Sequence, residues 1–298
     1  MRSFILGTDW WTDCDDAVAL RLLTRAVKAR KVRLLGIVLN ACFEYSVSSI
    51  KGFLLADGLT DVPLGLDREA TDFGGAPSYQ ARLTKNLHPL GTNDEAESAL
   101  SLYRRLLAGA KEKVELIEIG YPQVLSALLE SEGDSFSPLC GADLVKQKVS
   151  KIWVMAGKWD KNGERENNFC RNKRASHAAE AFCRLCPVPV TFLGWEVGFD
   201  VFTGGSLPKS DHLAHVMEDH RVATHREEKG RSSWDPMLML LALIGNEEKA
   251  GYKTVRGYAT VDKETGANFF KEDENGSHAY VIKEKTNAFY EEAIDALL

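Results

Sequence analysis

The chain has 298 residues, 44% of them hydrophobic, with 37 basic and 43 acidic side chains that leave a formal charge of −6. That length buries a sizeable core and suits one large α/β domain or two smaller ones, while the acidic balance argues against a general nucleic-acid surface. There is no run of about 18 apolar residues to span a membrane, and MRSFILGTDWW holds too short an apolar stretch for a secretory signal, so a cytoplasmic protein without membrane or nucleic-acid partners is expected.

In chain order, an apolar strand over 4–6 gives way to a helix at its carboxyl side, where Val18, Leu20, Leu22, Leu23 and Val27 cluster at helical spacing from Asp16. Residues 32–39 (VRLLGIVL) form a nearly continuous apolar run, suited to a strand buried on both faces, and a helix follows over 46–55. A third short strand is read at 61–66. A loop rich in Gly, Pro and Asn then leads to Thr92, Asn93, Asp94 and Glu95, which have the form of a capping box opening a helix to Leu107. The next strand is 114–120 (VELIEIG), with Tyr121, Pro122 and Gln123 starting a helix that runs to Glu130. Strands follow at 149–156 and 188–194, separated by a polar loop and a helix around 175–185. Beyond Asp200 come charged helical stretches, an apolar helix at 235–244, and antiparallel segments near 255–261 and 278–282.

This strand–loop–helix grammar predicts a doubly wound, mostly parallel α/β sheet with a helical and short antiparallel C-terminal part. No repeat, low-complexity tract or linker divides it, so residues 1–298 are read as a single domain. Cys14, Cys42, Cys140, Cys170, Cys183 and Cys186 fall at irregular spacings, and the lone CxxC of Cys183 and Cys186 has no second pair. Buried thiols are therefore expected, rather than disulfides or a zinc site.

The chemistry concentrates in TDWWTDCDDAVAL, where Asp9, Asp13, Asp15 and Asp16 lie within eight residues. Carboxylates so close cannot all ionise without a counter-charge: one must protonate, or a hard cation such as Ca2+ must sit among them. Asp15 and Asp16 also begin a helix, where acidic residues are ordinary caps. The cluster nonetheless directly follows a strand, and the carboxyl ends of parallel strands are where open α/β sheets bind ligands. Other polar residues fall at comparable strand ends: Asn40, Gln123, Asn167, Asn168 and Glu196, with Asp235 opening the late apolar helix.

Taken in order, GTDWWTDCDDAVAL, the LN ending at Asn40, GYPQVLSAL from Gly120, ENNF from Glu166 and SWDP from Ser233 resemble the motifs of the inosine–uridine-preferring nucleoside hydrolases. The resemblance runs over most of the chain. It implies that family's Rossmann-like fold, a Ca2+ cofactor, a nucleoside or other small ribosyl substrate, and assembly as a homodimer or homotetramer. Position by position it implies Asp16 and Asp235 as metal ligands, with Gln123 where the family offers a backbone carbonyl. Asp15 would grip the ribose hydroxyls, and Asn40, Asn167 and Asn168 would be further sugar contacts. Glu196, in LGWEVG, departs from the family pattern and is read as contacting a different substrate group.

The ligand that doubles as general base has two alignments. Matching FILGTD to the family's strand end assigns it to Asp9 and makes the two tryptophans an insertion. An ungapped match puts Trp11 there and leaves Asp13 as a substitute. Asp9 is preferred, because a loop insertion costs little whereas a tryptophan cannot serve as a metal-bound base.

The implied reaction is Ca2+-dependent hydrolysis of an N-glycosidic bond, with water activated by metal and aspartate. Where one branch of the family has a leaving-group histidine, this chain has Trp234. A purine stacked on Trp10, Trp11 or Trp234 is the expected replacement, and His177, His212, His215, His220 and His225 are read as surface or loop residues. The alternative is a non-catalytic Ca2+-dependent sugar- or nucleoside-binding relative. A Mg2+ phosphatase is disfavoured, since neither an aspartyl nucleophile motif nor a Gly-rich phosphate loop is present.

Overall fold

The computed structural model describes residues 1–11, 13–85, 91–227 and 230–298. In chain order its strands are β1 (Ser3–Thr8), β2 (Arg33–Leu39), β3 (Leu64–Leu66), β4 (Glu97–Ser98), β5 (Val114–Glu118), β6 (Val149–Met155), β7 (Glu164–Arg165), β8 (Val190–Leu193), β9 (Phe202–Thr203), β10 (Arg231–Ser232), β11 (Tyr252–Val261), β12 (Ala267–Glu272) and β13 (His278–Lys283). The helices are α1 (Asp15–Lys28), α2 (Ser46–Ala56), α3 (Gln80–Lys85), α4 (Ala99–Gly109), α5 (Gln123–Glu130), α6 (Gly141–Lys148), α7 (Asn167–Cys170), α8 (Lys173–Leu185), α9 (Trp195–Gly198), α10 (His212–Ala223), α11 (Trp234–Ile244) and α12 (Asn287–Asp295).

One eleven-stranded sheet has the order β4-β3-β2-β1-β5-β6-β8-β13-β11-β12-β7. From β4 to β13 every neighbouring pair is parallel, and β11, β12 and β7 close the far edge in antiparallel fashion. Short β9 and β10 pair separately. The sheet is buried on both faces because its strands alternate between two apolar layers. Along β1, Phe4 and Leu6 join the cluster of Leu20, Leu23, Phe53 and Leu238, while Ile5 joins Leu102, Leu125, Phe182 and Phe192 on the other side.

From β1 the chain winds outward through β2, β3 and β4, then returns to pair β5 against the other side of β1. This reversal opens a crevice beyond the carboxyl ends of β1 and β5. The helices that frame it on one face are α1 and α11, which pack against each other. Gly245 ends α11 in the left-handed conformation (φ 73°), its N–H donating to the Leu241 carbonyl.

Four local readings change. The strand read at 61–66 shortens to β3, since Pro63 has no N–H to give the ladder. The loop read before Thr92 contains α3, and its residues 86–90 lie outside the described residues. Glu95 accepts from the Thr92 N–H at 3.1 Å as a capping box requires, but the turn it closes is a 3-10 turn over Asn93–Glu95. The helix itself starts four residues later, after β4. The segment at 278–283 is antiparallel to β11, as read, yet parallel to β8, so it continues the main sheet. Among the described residues no helix is long and apolar enough to cross a membrane.

Candidate functional site

The acidic loop is shaped by its own side chains. The Thr8 hydroxyl donates to Asp16 Oδ1, and the Trp10 N–H donates to Thr8 Oγ1 at 3.0 Å. Trp10 adopts a left-handed backbone (φ 50°), rare for a bulky residue. Its ring secures that turn: it is fully buried edge-on to Phe53 and Tyr79, and its Nε1 donates to Ser49 Oγ at 2.9 Å. Trp10 is therefore an anchor in the core, unable to stack on a ligand.

The turn brings α1 and α11 together at their N-termini. Asp15, Asp16 and Asp235 each present an oxygen within 4.8 Å of the others, and the Asp235 N–H donates to Asp15 Oδ2 at 3.1 Å. Asp9 stands beside them, accepting from the Trp11 N–H at 3.2 Å. These four residues are only 3–6% exposed. Burial pushes all four carboxyls well above the usual range, and their mutual repulsion adds to the shift. Protonation or a metal ion can compensate such a set, and the donor chemistry, all carboxylate oxygen, suits a hard cation.

Asp13 lies apart from this group. Its carboxylate clasps the Arg231 guanidinium, with Nε at 2.8 and 3.0 Å from its two oxygens, and His220 Nε2 is 3.5 Å away. The fork of Arg231 is thus matched to Asp13 and holds it toward β10. His220, read as a surface residue, is only 5% exposed because α10 turns that face toward Asp13. His212 is likewise more than a surface residue, with Nε2 3.1 Å from Asp57 Oδ1 in a network with Arg21.

A cleft of about 180 Å3 gathers Asp9, Trp11, Asp13, Asp15, Asp16, Asn167, Asn168, Trp234 and Asp235, together with Ile119, Met155, Glu166 and Trp195. Asn40, Gln123 and Glu196 do not line it. The Asn40 amide is spent on its neighbours, Nδ2 donating to Glu118 Oε1 at 2.7 Å and Oδ1 accepting from the Tyr121 N–H at 3.1 Å. Gln123 Nε2 donates to the Asn40 carbonyl and to Asp67 Oδ2. The side chains of these two residues thus bond to their neighbours around the crevice. Glu196, next to Trp195 but outside that lining, accepts from the Trp159 N–H at 3.2 Å. Burial pushes both Glu196 and Glu166 up to about 7.

Asn168 enters the cleft through α7, whose N-terminus is capped by Glu166, with both carboxylate oxygens accepting from the Asn168 N–H at 3.0 Å. Its Nδ2 donates to the Met155 carbonyl at 2.9 Å, which leaves the amide oxygen without a protein partner among the described residues. Asn167 donates to the Tyr121 hydroxyl at 3.2 Å. Trp11 is 4% exposed, with Phe43 stacked 5.3 Å away and the Arg171 guanidinium over its ring. Trp234 is half-buried; its Nε1 donates to the Trp195 carbonyl at 2.7 Å, and the two indoles lie 30° from parallel.

Glu118 escaped the sequence reading, although an acid inside the apolar run VELIEIG is a usable signal. It is fully buried beneath the aspartates, and burial pushes it up to about 8. Its neighbour across the ladder must be glycine, since a Cβ at Gly7 would lie 2.2 Å from Glu118 Oε2. Trp195, in LGWEVG after β8, also went unread, as did Arg231. A larger cavity of about 570 Å3 lies at the opposite end of the strands, lined by Leu22, Ala26, Leu240 and Ile244 with Arg2, Arg25 and Lys31, and holds no carboxylate side chain.

No protein-family model and no curated protein matches the sequence. Solved structures do resemble the fold over its full length. A plant nucleoside hydrolase, PpNRh1, superposes with a TM-score of 0.70 at 16% identity, covering 99% of both chains. The inosine–uridine-preferring nucleoside hydrolase of Bacillus anthracis gives a TM-score of 0.68 at 15% identity, covering 100% of this chain and 99% of its own. The type III effector XopQ, solved with adenosine diphosphate ribose, gives 0.69 at 16%, covering 99% and 93%. The chain therefore has the α/β fold of the nucleoside hydrolases, as the sequence motifs implied.

Proposed function

We propose that this chain is a divergent nucleoside hydrolase-like enzyme that cleaves the N-glycosidic bond of a ribonucleoside or related ribosyl compound with Ca2+. The observation that carries the reading is the convergence of Asp15, Asp16 and Asp235 within 4.8 Å, beside Asp9, at the crevice of this fold. Asp9, Asp16 and Asp235 would hold the cation. When bound, it supplies a lowered pKa to a water beside the anomeric carbon.

The chain's own residues account for the other requirements. Asp9 accepts the proton of the attacking water as the general base. Asp15 and the free amide oxygen of Asn168 accept hydrogen bonds from ribose hydroxyls and fix the ring. The C–N bond breaks with its electrons passing to the leaving base. Among the described residues no histidine lines the cleft, so assistance to the base falls to the apolar wall of Trp234 and Trp195, which favours a purine. The same reading makes residues 1–298 one domain of a cytoplasmic homodimer or homotetramer.

A second reading, a Ca2+-dependent sugar- or nucleoside-binding protein without catalysis, is favoured by Trp11, which occupies the position of the base in an ungapped alignment. The two separate by assay. Purified protein with Ca2+ is expected to release free base and ribose from a purine nucleoside, and Asp9→Asn to remove that release. Saturable binding with no release across a nucleoside panel would support the second reading.

A further inference from the structure

One cation at the edge of the acidic cleft has no carboxylate. α7 carries Asn167 and Asn168 into the cleft, and Arg171 follows one turn later, its N–H donating to the Asn167 carbonyl at 2.9 Å. Its guanidinium is held in place rather than waving in solvent. Nε and Nη2 donate to the Phe73 carbonyl at 2.9 and 2.7 Å, and the group lies 4.9 Å from the centre of the Trp11 ring. Gly74 permits this approach, since a Cβ there would come within 2.7 Å of Trp11 and 3.0 Å of Arg171 Nη2.

The neighbouring basic residues are already used: Lys173 pairs with Glu264, and Arg174 with Asp72. Among the described residues Arg171 has no ion pair, and it is exposed. A guanidinium carries five N–H donors. The Phe73 carbonyl takes two, and the others have no side-chain partner among the described residues; Trp11, under the guanidinium, and Asn167, whose carbonyl the Arg171 N–H meets, both line the cleft. A carbonyl and an indole hold the fork in place without neutralising it.

We propose that Arg171 recognises a phosphate on the 5′ carbon of the substrate, so that the preferred substrates are ribosyl 5′-phosphates such as nucleotides. This rests on the ribosyl reading above. With the 2′,3′-diol of the ring against Asp15, the 5′ carbon lies on the opposite edge of the sugar, toward Asn167 and Asn168, and a phosphate there extends one helical turn further. The aspartates on the floor repel an anion, so a cation at the mouth is what makes a phosphorylated sugar acceptable. Arginine suits the task because its planar fork meets two phosphate oxygens at once.

The test is calorimetric binding of ribose 5-phosphate, ribose and inorganic phosphate to the whole protein in Ca2+. Ribose 5-phosphate is expected to bind about tenfold or more tightly than ribose. Arg171→Gln should erase that margin and Arg171→Lys keep part of it, while Lys173→Ala leaves it alone; melting curves confirm that each variant is folded. Equal affinity for the two sugars, a margin that survives Arg171→Gln, tighter binding of inorganic phosphate than of ribose 5-phosphate, or binding of neither sugar overturns the proposal. The hydrolase reading fails separately. A phosphate margin without release of base from any nucleotide or nucleoside sinks catalysis alone, and release of base from nucleosides with no phosphate margin sinks this proposal alone.

Discussion

Asp13 and Arg231, 218 positions apart, form a two-pronged ion pair that fastens the acidic loop to the strand leading into α11. Arg231 is 8% exposed, and its guanidinium also lies 4.9 Å from the centre of the Trp234 ring. Replacing it leaves Asp13 beside other acids with only His220 and the Cys14 N–H as partners. Arg231→Met is expected to cost about 3 kcal/mol in urea unfolding, as removal of one partner from a mostly buried pair does. A loss below roughly 0.5 kcal/mol, the scale of an exposed pair, would show that the loop does not depend on this clasp.

The cluster at the α1 and α11 N-termini is strained without a cation. Ca2+ should therefore raise the melting temperature, by the equivalent of about 2.7 kcal/mol at a hundred times its dissociation constant. Asp235→Asn removes one of the mutually repelling buried carboxyls. It is expected to melt higher than the parent in chelator, yet to lose the response to Ca2+. A chelator-treated variant that melts lower, or an unchanged Ca2+ response, contradicts the assignment of Asp235 to the cation.

Glu166 and Glu196 supply a dependence on pH. Both are pushed up to about 7 by burial, from 4.5 in an unfolded chain. A raised folded-state pKa contributes stability that is complete below 4.5 and is lost as pH rises through 7. In chelator the protein should accordingly melt at a higher temperature at pH 5.5 than at pH 8. Glu196→Gln should flatten part of that slope, and a profile identical to the parent's would remove Glu196 as its source.

Gly7 and Glu118 predict a coupling. Gly7→Ala forces a methyl group into Glu118 Oε2 and is expected to cost about 1–3 kcal/mol, the usual range for overpacking. In the double variant with Glu118→Ala the clash is gone, so the two losses should fall well short of adding. Additive losses would mean that the strain at Gly7 comes from elsewhere. Chemical denaturation of the four proteins measures the cycle.

The strands were legible because parallel strands covered on both faces leave mostly apolar runs, nearly continuous in β2 and interrupted by only two polar residues each in β5 and β6. Their order placed Asp9, Asp15, Asp16 and Asn168 at one edge, and all four do line the cleft. What the sequence could not convey was direction. Asn40 ends its strand as expected, yet a buried Glu118 on the adjacent strand captures its amide. His220 and Arg231 converge on Asp13 from a helix and a strand whose packing no local pattern encodes. Trp10 and Trp11 are adjacent in sequence and alike in chemistry; a left-handed bend at Trp10 sends the first ring into the core while the second lines the cleft.

The hydrogen bond from the Asp235 N–H to Asp15 joins residues 220 positions apart. During synthesis, then, the ribosome must release most of the polypeptide before the two halves of the acidic cluster can meet. Until that moment the emerging chain carries its acidic loop with no partner for it, and contacts this distant in sequence close slowly. On the metal-binding reading proposed above, capture of the cation would be a late step in biogenesis, open only to a chain completed through α11.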